Sequence, residues 1–311
     1  MPPDVSLIVV SHNTRGHLER CLSELGSGHE VIVVDTGSSD GSQELVRDAF
    51  PHARLLTLAG NPGYGGALNA GIRLASGRHL LVMNADAWPL PRAVERLVEF
   101  TKGEPSAGVV GPRLLDPDRT LQPSVRGFPS LWRLATEYLF LRRLAPRSRA
   151  LNAFYGSGFD HGSRREADFI TGAVMLVRRQ MLDEIGDFDT SFFMFNEEVD
   201  LCYRARKAGW SVVFWPGAEF VHVGGASTAA VWPRMYREQL RSHLRFLAKH
   251  HGLREAERAR RLLAAAMRFR ALVFGILGRR ERRALSLDAA AWLRSGDAGA
   301  LLRPPRSSEI L

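Results

Sequence analysis

Over the first third of the chain, short apolar runs alternate with stretches in which apolar residues recur every three to four positions. Val5–Val10 reads as a buried strand, and Leu18, Cys21, Leu22 and Leu25 share one face of a following helix. Glu30–Val34 predicts a second strand, followed by a Gly/Ser turn and a helix over Gln43–Ala49. Arg54–Leu58 predicts a short third strand, Ala67–Ala75 a helix and His79–Met83 another strand. Pro91 suits the first position of a helix that presents Val94, Leu97 and Val98, and Val109–Gly111 suggests a further strand. Strands that are apolar on both faces, separated by helices, predict an α/β protein with a mostly parallel sheet covered by helices.

From Arg113 to Ala167 the pattern loosens among Pro, Gly, Ser and Arg, with Leu131–Leu144 read as one amphipathic helix. Order returns at Asp168–Arg178 and Phe188–Gly209, and Ser211–Trp215 predicts a strand. After Trp232 the chain reads as consecutive basic helices, with Leu240, Leu244 and Leu247 at helical spacing. The expected division is a catalytic domain over residues 1–232 and a basic helical extension over 233–311.

Charge sharpens this division. The 311 residues carry a net charge of +9, but residues 233–311 hold 18 Lys+Arg against 7 Asp+Glu. The remainder holds 24 against 26, so the basicity belongs to the C-terminal quarter and a nucleic-acid partner is not expected. Two cysteines, Cys21 and Cys202, make no disulfide framework and suit a reduced, cytoplasmic chain. The start MPPDVSLIVV lacks a basic leader, and Leu262–Leu277 is interrupted by Arg268 and Arg270, so neither a signal peptide nor a membrane span is expected.

Candidate chemistry lies at the ends of the predicted strands, where open α/β sheets bind ligands. Asp35 follows a buried strand and can accept a pyrimidine ring N–H, while the turn from Gly37 lets backbone amides approach a nucleotide. A turn and helix cap is the plainer reading of the same residues. Five glycines between Asn61 and Gly71 suit a loop passing close to phosphates into a helix N-terminus. Asp86, in Asn84-Ala85-Asp86, can bind a hard divalent cation, and His222 can supplement it. Glu197 and Glu198 open a helix; a base for a sugar hydroxyl must be a carboxylate within hydrogen-bond reach, and adjacent helical residues diverge, so one of the two serves.

VSLIVVSHN, VIVVDTGSSDGS, NPGYGGALNAG, LLVMNADAWP, DFITGAVMLVRR, GDFDTSFFMFNEEVDLCYRARKAGW and VHVGGAS occur in that order across roughly residues 4–250. Together they resemble the family 2 inverting glycosyltransferases of GT-A fold, most closely the rhamnosyltransferase-like branch. The resemblance implies a Rossmann-like GT-A domain and single-displacement sugar transfer from a dTDP- or UDP-linked donor to a glycan or polyprenyl-linked acceptor in cell-surface polysaccharide synthesis. L-rhamnose is the first expectation for the sugar. A UDP-hexose enzyme or a non-catalytic sugar-nucleotide binder are the alternatives.

The resemblance further implies that Ser11 and Asn13 cradle the nucleotide, that Asp35 binds the base, and that Asn61, Gly63 and Asn69 line the donor pocket. Asp86 matches the last acid of the DxD motif, with Asn84 in place of the first, and binds Mg²⁺ or Mn²⁺ together with His222. Glu198 matches the base, where the family usually has Asp; Glu197 is the alternative. Asp168, Gly172 and Ala173 shape the acceptor side. The arginines from Arg258 to Arg283, mixed with Leu262, Leu263, Met267, Phe269, Leu272, Val273, Phe274 and Leu277, suit a helix lying on an anionic membrane, on the cytoplasmic face.

Overall fold

A computed structural model of the chain describes residues 3–148, 150–152, 154, 159–226 and 231–303. Ser227, which ends the VHVGGAS motif, and the last eight residues of the expected extension lie outside the described residues. The chain divides into two compact units. The first comprises residues 1–126, 160–193 and 197–230; the second comprises 127–159, 194–196 and 231–311. The helical unit therefore takes in a middle segment as well as the chain after Trp232.

In chain order the elements begin β1 (Val5–Ser11), α1 (Arg15–Leu25), β2 (Glu30–Asp35), α2 (Ser42–Ala49), β3 (Arg54–Thr57), α3 (Tyr64–Ile72), β4 (His79–Asn84) and β5 (Ala87–Pro89). They continue with α4 (Ala93–Gly103), β6 (Ala107–Leu115), β7 (Leu121–Gln122), β8 (Val125–Arg126), α5 (Leu131–Tyr138) and α6 (Leu141–Leu144). Next come β9 (Arg165–Glu166), β10 (Phe169–Ile170), β11 (Val174–Arg178), α7 (Arg179–Ile185), α8 (Glu197–Lys207) and β12 (Ser211–His222). Four helices complete the chain: α9 (Trp232–His251), α10 (Leu253–Ile276), α11 (Arg280–Arg294) and α12 (Ala298–Leu301).

The main sheet of the first unit has the order β3-β2-β1-β4-β11-β6-β12-β5. Strands β3, β2, β1 and β4 are parallel, β11 runs antiparallel to both β4 and β6, and β5 runs antiparallel to β12. Leu7, Ile8, Val9, Ile32, Val33, Val34, Leu80, Leu81, Val82 and Met83 are fully buried, as continuous apolar runs require of strands covered on both faces. Each such side chain contributes about 1.5–3 kcal/mol on leaving water. The direction of β11 is not encoded in its periodicity, which registers burial and not orientation.

Three expected boundaries shift for local reasons. Helix α3 starts at Tyr64, three residues before the expected Ala67, because Gly65 and Gly66 lie against Phe188 and Pro62, where a Cβ would come within 3.2 and 2.9 Å. The last strand runs on from Trp215 to His222: Pro216 and Gly217 look like strand breakers but are absorbed by a register shift between Trp215 and Glu219. The single helix expected over Leu131–Leu144 breaks at Phe140, which adopts φ 61° and packs its ring edge-on to Phe274 at 5.7 Å.

The helical unit is built on α9, α10 and α11. Leu240, Leu244, Phe246 and Leu247 are buried on α9; Leu263 and Met267 join Ala256, Ala259 and Ala266 on α10; Ala289, Ala290 and Leu293 are buried on α11. Among the described residues no helix is long and apolar enough to cross a membrane.

Candidate active site

Strands β1, β2 and β4 end side by side at one edge of the sheet. Ser11 pairs with Asp35 across β1 and β2, and Val10 pairs with Asn84 across β1 and β4. Asp35 is 1% exposed. Its Oδ1 accepts the N–H groups of Gly37 at 3.1 Å and Ser38 at 2.9 Å, and the Gln43 amide at 2.8 Å. Its Oδ2 is buried with no hydrogen-bond partner among the described residues. Leaving such an acceptor unpaired costs about 1–3 kcal/mol, so this oxygen is poised for a donor brought by a ligand.

Ser11 and Asn13 support this carboxylate by tying the two loops together. Ser11 is buried, with its Oγ 3.1 Å from Thr14 Oγ1, and its carbonyl accepts the Thr36 N–H at 3.0 Å. Asn13, at φ 50°, accepts the Ser39 N–H at 2.8 Å and donates its own N–H to Ser38 Oγ at 2.9 Å. Asp40, which sequence reading passed over, caps both sides: it accepts from Arg15 N–H at 2.8 Å and Ser42 N–H at 3.1 Å. Burial opposes its ionisation, but these hydrogen bonds and that of the Ser42 hydroxyl hold its carboxyl below the ordinary range.

The Gly-rich segment is fixed by close packing. Asn61 Oδ1 accepts the Gly63 N–H at 2.9 Å. Gly63 has φ 81° and a Cβ there would stand 2.0 Å from the Phe193 carbonyl oxygen, which also accepts the Tyr64 N–H at 2.9 Å. Asn69, expected to line the donor pocket, instead spends its amide on the backbone of Phe188, donating to its carbonyl at 2.8 Å and accepting its N–H at 3.0 Å. Its buried side chain braces the loop before α8.

A second cluster forms at the end of β12, where His222 pairs with Ala87 of β5 just after the β4–β5 link. His222 Nε2 lies 3.4 Å from Asp86 Oδ1 and 3.3 Å from the Asn84 amide nitrogen. Asp86 is 6% exposed. Burial alone would raise its carboxyl, but the hydrogen bond and charge of His222, the Ala226 N–H and His17 outweigh it and hold the group below its ordinary value.

Gln122, absent from the sequence reading, orders this cluster. Its Nε2 donates to Asp116 Oδ1 at 2.7 Å, and its Oε1 lies 2.7 Å from His222 Nδ1. A carboxylate only accepts, so the amide NH₂ faces Asp116 and its carbonyl oxygen faces the ring. His222 therefore carries N–H at Nδ1 and turns Nε2 toward Asp86, where the charged ring donates a proton to the carboxylate and the neutral ring offers a lone pair. An imidazole nitrogen and a carboxylate oxygen face one another there, and a cation satisfies both. Among the described residues no group of three or more His, Cys, Asp or Glu side chains is arranged to hold a metal.

The two glutamates at the start of α8 diverge as helical neighbours must. Glu197 is buried against α3, where a Cβ on Gly65 would lie 3.4 Å from its own Cβ. Glu198 lies over Gly172, whose Cβ would come 3.5 Å from Glu198 Cβ and Cγ and from Tyr64 Cε1. Tyr64 joins the parts: its hydroxyl donates to the Gly172 carbonyl at 2.9 Å. Burial first, then the nearby carboxylates of Glu197, Glu198 and Asp86, push its phenol up. Sequence reading missed Tyr64 because an aromatic in a Gly-rich loop has no distinctive spacing.

Ala173 is adjacent to this cluster, its carbonyl accepting the Asn84 N–H at 3.0 Å. Asp168, expected on the acceptor side, is ion-paired at 3.0 Å with Arg206, a residue about 12 Å further along α8 than Glu198. Asn196, which precedes α8, adopts φ 67° and directs its amide to His243 Nδ1 at 3.0 Å.

An open α/β sheet with a buried aspartate, an Asp–His pair and a glutamate pair along its carboxyl edge is a protein of the doubly wound α/β class with its polar groups where such sheets bind ligands. Residues 6–186 match the model of Glycosyl transferase family 2. The chain belongs to that family and is a glycosyltransferase of GT-A fold. It is 32% identical over 261 residues to the N-acetylglucosaminyl-diphospho-decaprenol L-rhamnosyltransferase of Mycobacterium tuberculosis, covering 79% of this chain and 84% of the relative. It is 23% identical over 254 residues to rhamnosyltransferase WbbL of Escherichia coli K12, covering 79% and 93%. Mannosyltransferase PcManGT from Pyrobaculum calidifontis, solved in complex with GDP-Man and Mn²⁺, shares the fold with TM-score 0.56 at 18% identity, over 94% of this chain and 86% of that one.

Proposed function

We propose that the protein transfers a sugar, with inversion, from a nucleoside diphosphate sugar to a lipid-linked glycan acceptor, and that dTDP-L-rhamnose is its donor. The observation that carries the reading is the convergence on one sheet edge of an unpaired buried Asp35 oxygen, the Asp86–His222 pair and Glu198. Asp35 Oδ2 accepts the ring N–H of thymine or uracil, which both bases present alike. The relatives named for rhamnose transfer, one to a decaprenol-linked acceptor, support the choice of sugar and acceptor.

Asp86 and His222 would hold a divalent cation, Mg²⁺ or Mn²⁺. The donor set fits such an ion: a carboxylate held ionised and an imidazole whose free nitrogen is fixed by Gln122. When bound, the ion stabilises negative charge on the departing diphosphate. Glu198 takes the proton of the acceptor hydroxyl, which attacks the anomeric carbon from the face opposite the leaving group. Glu198 is favoured over Glu197 because its stem lies over Gly172, whereas Glu197 is packed against α3. The Tyr64 hydroxyl holds the Gly172 carbonyl and so fixes the floor beneath the base.

A donor panel of dTDP-rhamnose and UDP-hexoses, each with Mg²⁺ or Mn²⁺, tests the reading by thermal stabilisation and by released nucleoside diphosphate. Turnover of dTDP-rhamnose with a polyprenyl-diphospho-sugar acceptor is the expected result. Preference for a UDP-hexose would replace the sugar, and binding of donors without turnover would make the protein a sugar-nucleotide binder.

A further inference from the structure

All nine large hydrophobic side chains that stand exposed among the described residues belong to the helical unit. Four of them crowd the end of α10: Phe269 is 43% exposed, Leu272 63%, Ile276 78% and Leu277 58%. Phe269, Leu272 and Ile276 are spaced three and four residues apart, which places them on one face of the helix. Leu277 follows at the turn, closed by Gly278 at φ 67° and by the Arg279 N–H donating to the Phe274 carbonyl at 2.8 Å.

Around these residues stand the exposed arginines Arg268, Arg279, Arg280, Arg282 and Arg283, with Glu281 the one acid among them. None of the five is ion-paired among the described residues. Five other arginines of α9 and α10 are ion-paired: Arg237 with Asp288, Arg241 with Glu238, Arg258 with Glu255, and Arg260 and Arg261 with Glu257. Here unmatched positive charge coincides with protruding aliphatic tips, the combination that an acyl–headgroup boundary rewards.

We infer that the α10–α11 turn is a membrane-docking surface, with Leu272, Ile276 and Leu277 entering the boundary of an anionic bilayer and the five arginines engaging its phosphates. The surface would hold the protein on a lipid leaflet. The inference stands on the helical unit alone and is independent of donor, sugar and acceptor.

Co-sedimentation of the full chain with vesicles of mixed phosphatidylglycerol and phosphatidylcholine tests it without any sugar transfer. Binding should be strong at low salt, fall as salt screens the charges, and be absent from pure phosphatidylcholine. Arg279→Ser with Arg280→Ser should weaken it about thirty-fold, at about fivefold per arginine near the surface. Arg258→Ser, which removes an exposed but paired arginine of the same helix, should change it by less than fivefold.

Leu272→Ser with Ile276→Ser should weaken vesicle binding even at low salt, with the thermal transition preserved because both side chains are exposed. Both native cysteines are buried, so Ile276→Cys can be labelled selectively with an environment-sensitive dye, whose emission should shift to the blue on vesicles. Equal binding to neutral and anionic vesicles, or an unshifted dye, would overturn the proposal. So would failure to bind anionic vesicles at low salt, and salt-sensitive oligonucleotide binding lost in the arginine variant, or a dimer in solution dissolved by the leucine–isoleucine variant, would then assign the surface to that partner instead.

Discussion

The sheet unit carries 19 Lys+Arg and 25 Asp+Glu, whereas the helical unit carries 23 and 8. Among the described residues the first has no exposed large hydrophobic side chain, and the second has all nine. A net charge of +9 is thus the sum of −6 and +15, and the pI of 10.3 describes neither unit. In the sheet unit several carboxylates are drawn inward: Asp35, Asp86, Glu197 and Asp200 are all buried at or beside strand and helix ends. In the helical unit most arginines stay on the surface, and the buried Glu238 is paired with Arg241. Buried carboxylates in fixed hydrogen-bond frames can do chemistry, while exposed guanidinium groups set where a molecule resides.

The largest effect that would break this contrast is chemical. Glu198→Gln should lower transfer by about a thousandfold, the scale of a lost general base, while donor-induced thermal stabilisation persists. Near-normal turnover in that variant, with loss in Glu197→Gln, would move the base to the neighbouring residue. Next in size is Asn69→Ala, which strands the buried N–H and carbonyl of Phe188. It should cost about 3 kcal/mol in unfolding by denaturant.

Gln122→Ala probes the orientation of His222 more gently. Metal affinity, read by calorimetry with Mn²⁺ alone, should fall about 10–100-fold, as for other outer-shell partners of a metal-bound histidine. An unchanged affinity would detach Gln122 from the site.

The smallest effect lies in the helical unit. Glu257 is held at about 2, mainly by the Arg260 hydrogen bond acting against burial, with Arg261 and the Ala298 N–H adding to it. Its ordinary value is 4.5, so its contribution is complete above that pH and is lost as pH falls toward 2. Glu257→Gln should flatten the acid limb of stability by under about 1 kcal/mol, measured as the unfolding midpoint against pH.

Much of the site was legible because its residues follow strands whose apolar runs are unambiguous. Asp35, Asn84 and Asp86 stand where His79–Met83 and Glu30–Val34 predict carboxyl ends. What could not be read was how each polar side chain spends its hydrogen bonds. Asn69 and Asp168 look like ligand contacts in the sequence but are taken by Phe188 and Arg206. Tyr64 and Gln122 look incidental, yet one meets Gly172, more than a hundred residues away, and the other meets His222 at the same range.

The sequence by itself determined the alternation of strand and helix, the family and the confinement of positive charge to the late helices. These follow from local periodicity and composition, which need no knowledge of neighbours. Only the tertiary structure decided the antiparallel entry of β11, the break at Phe140, the inclusion of residues 127–159 in the helical unit and the division of arginines into paired and unpaired. Each of those depends on which distant groups come within a few ångströms, and that distance is set by packing across the fold.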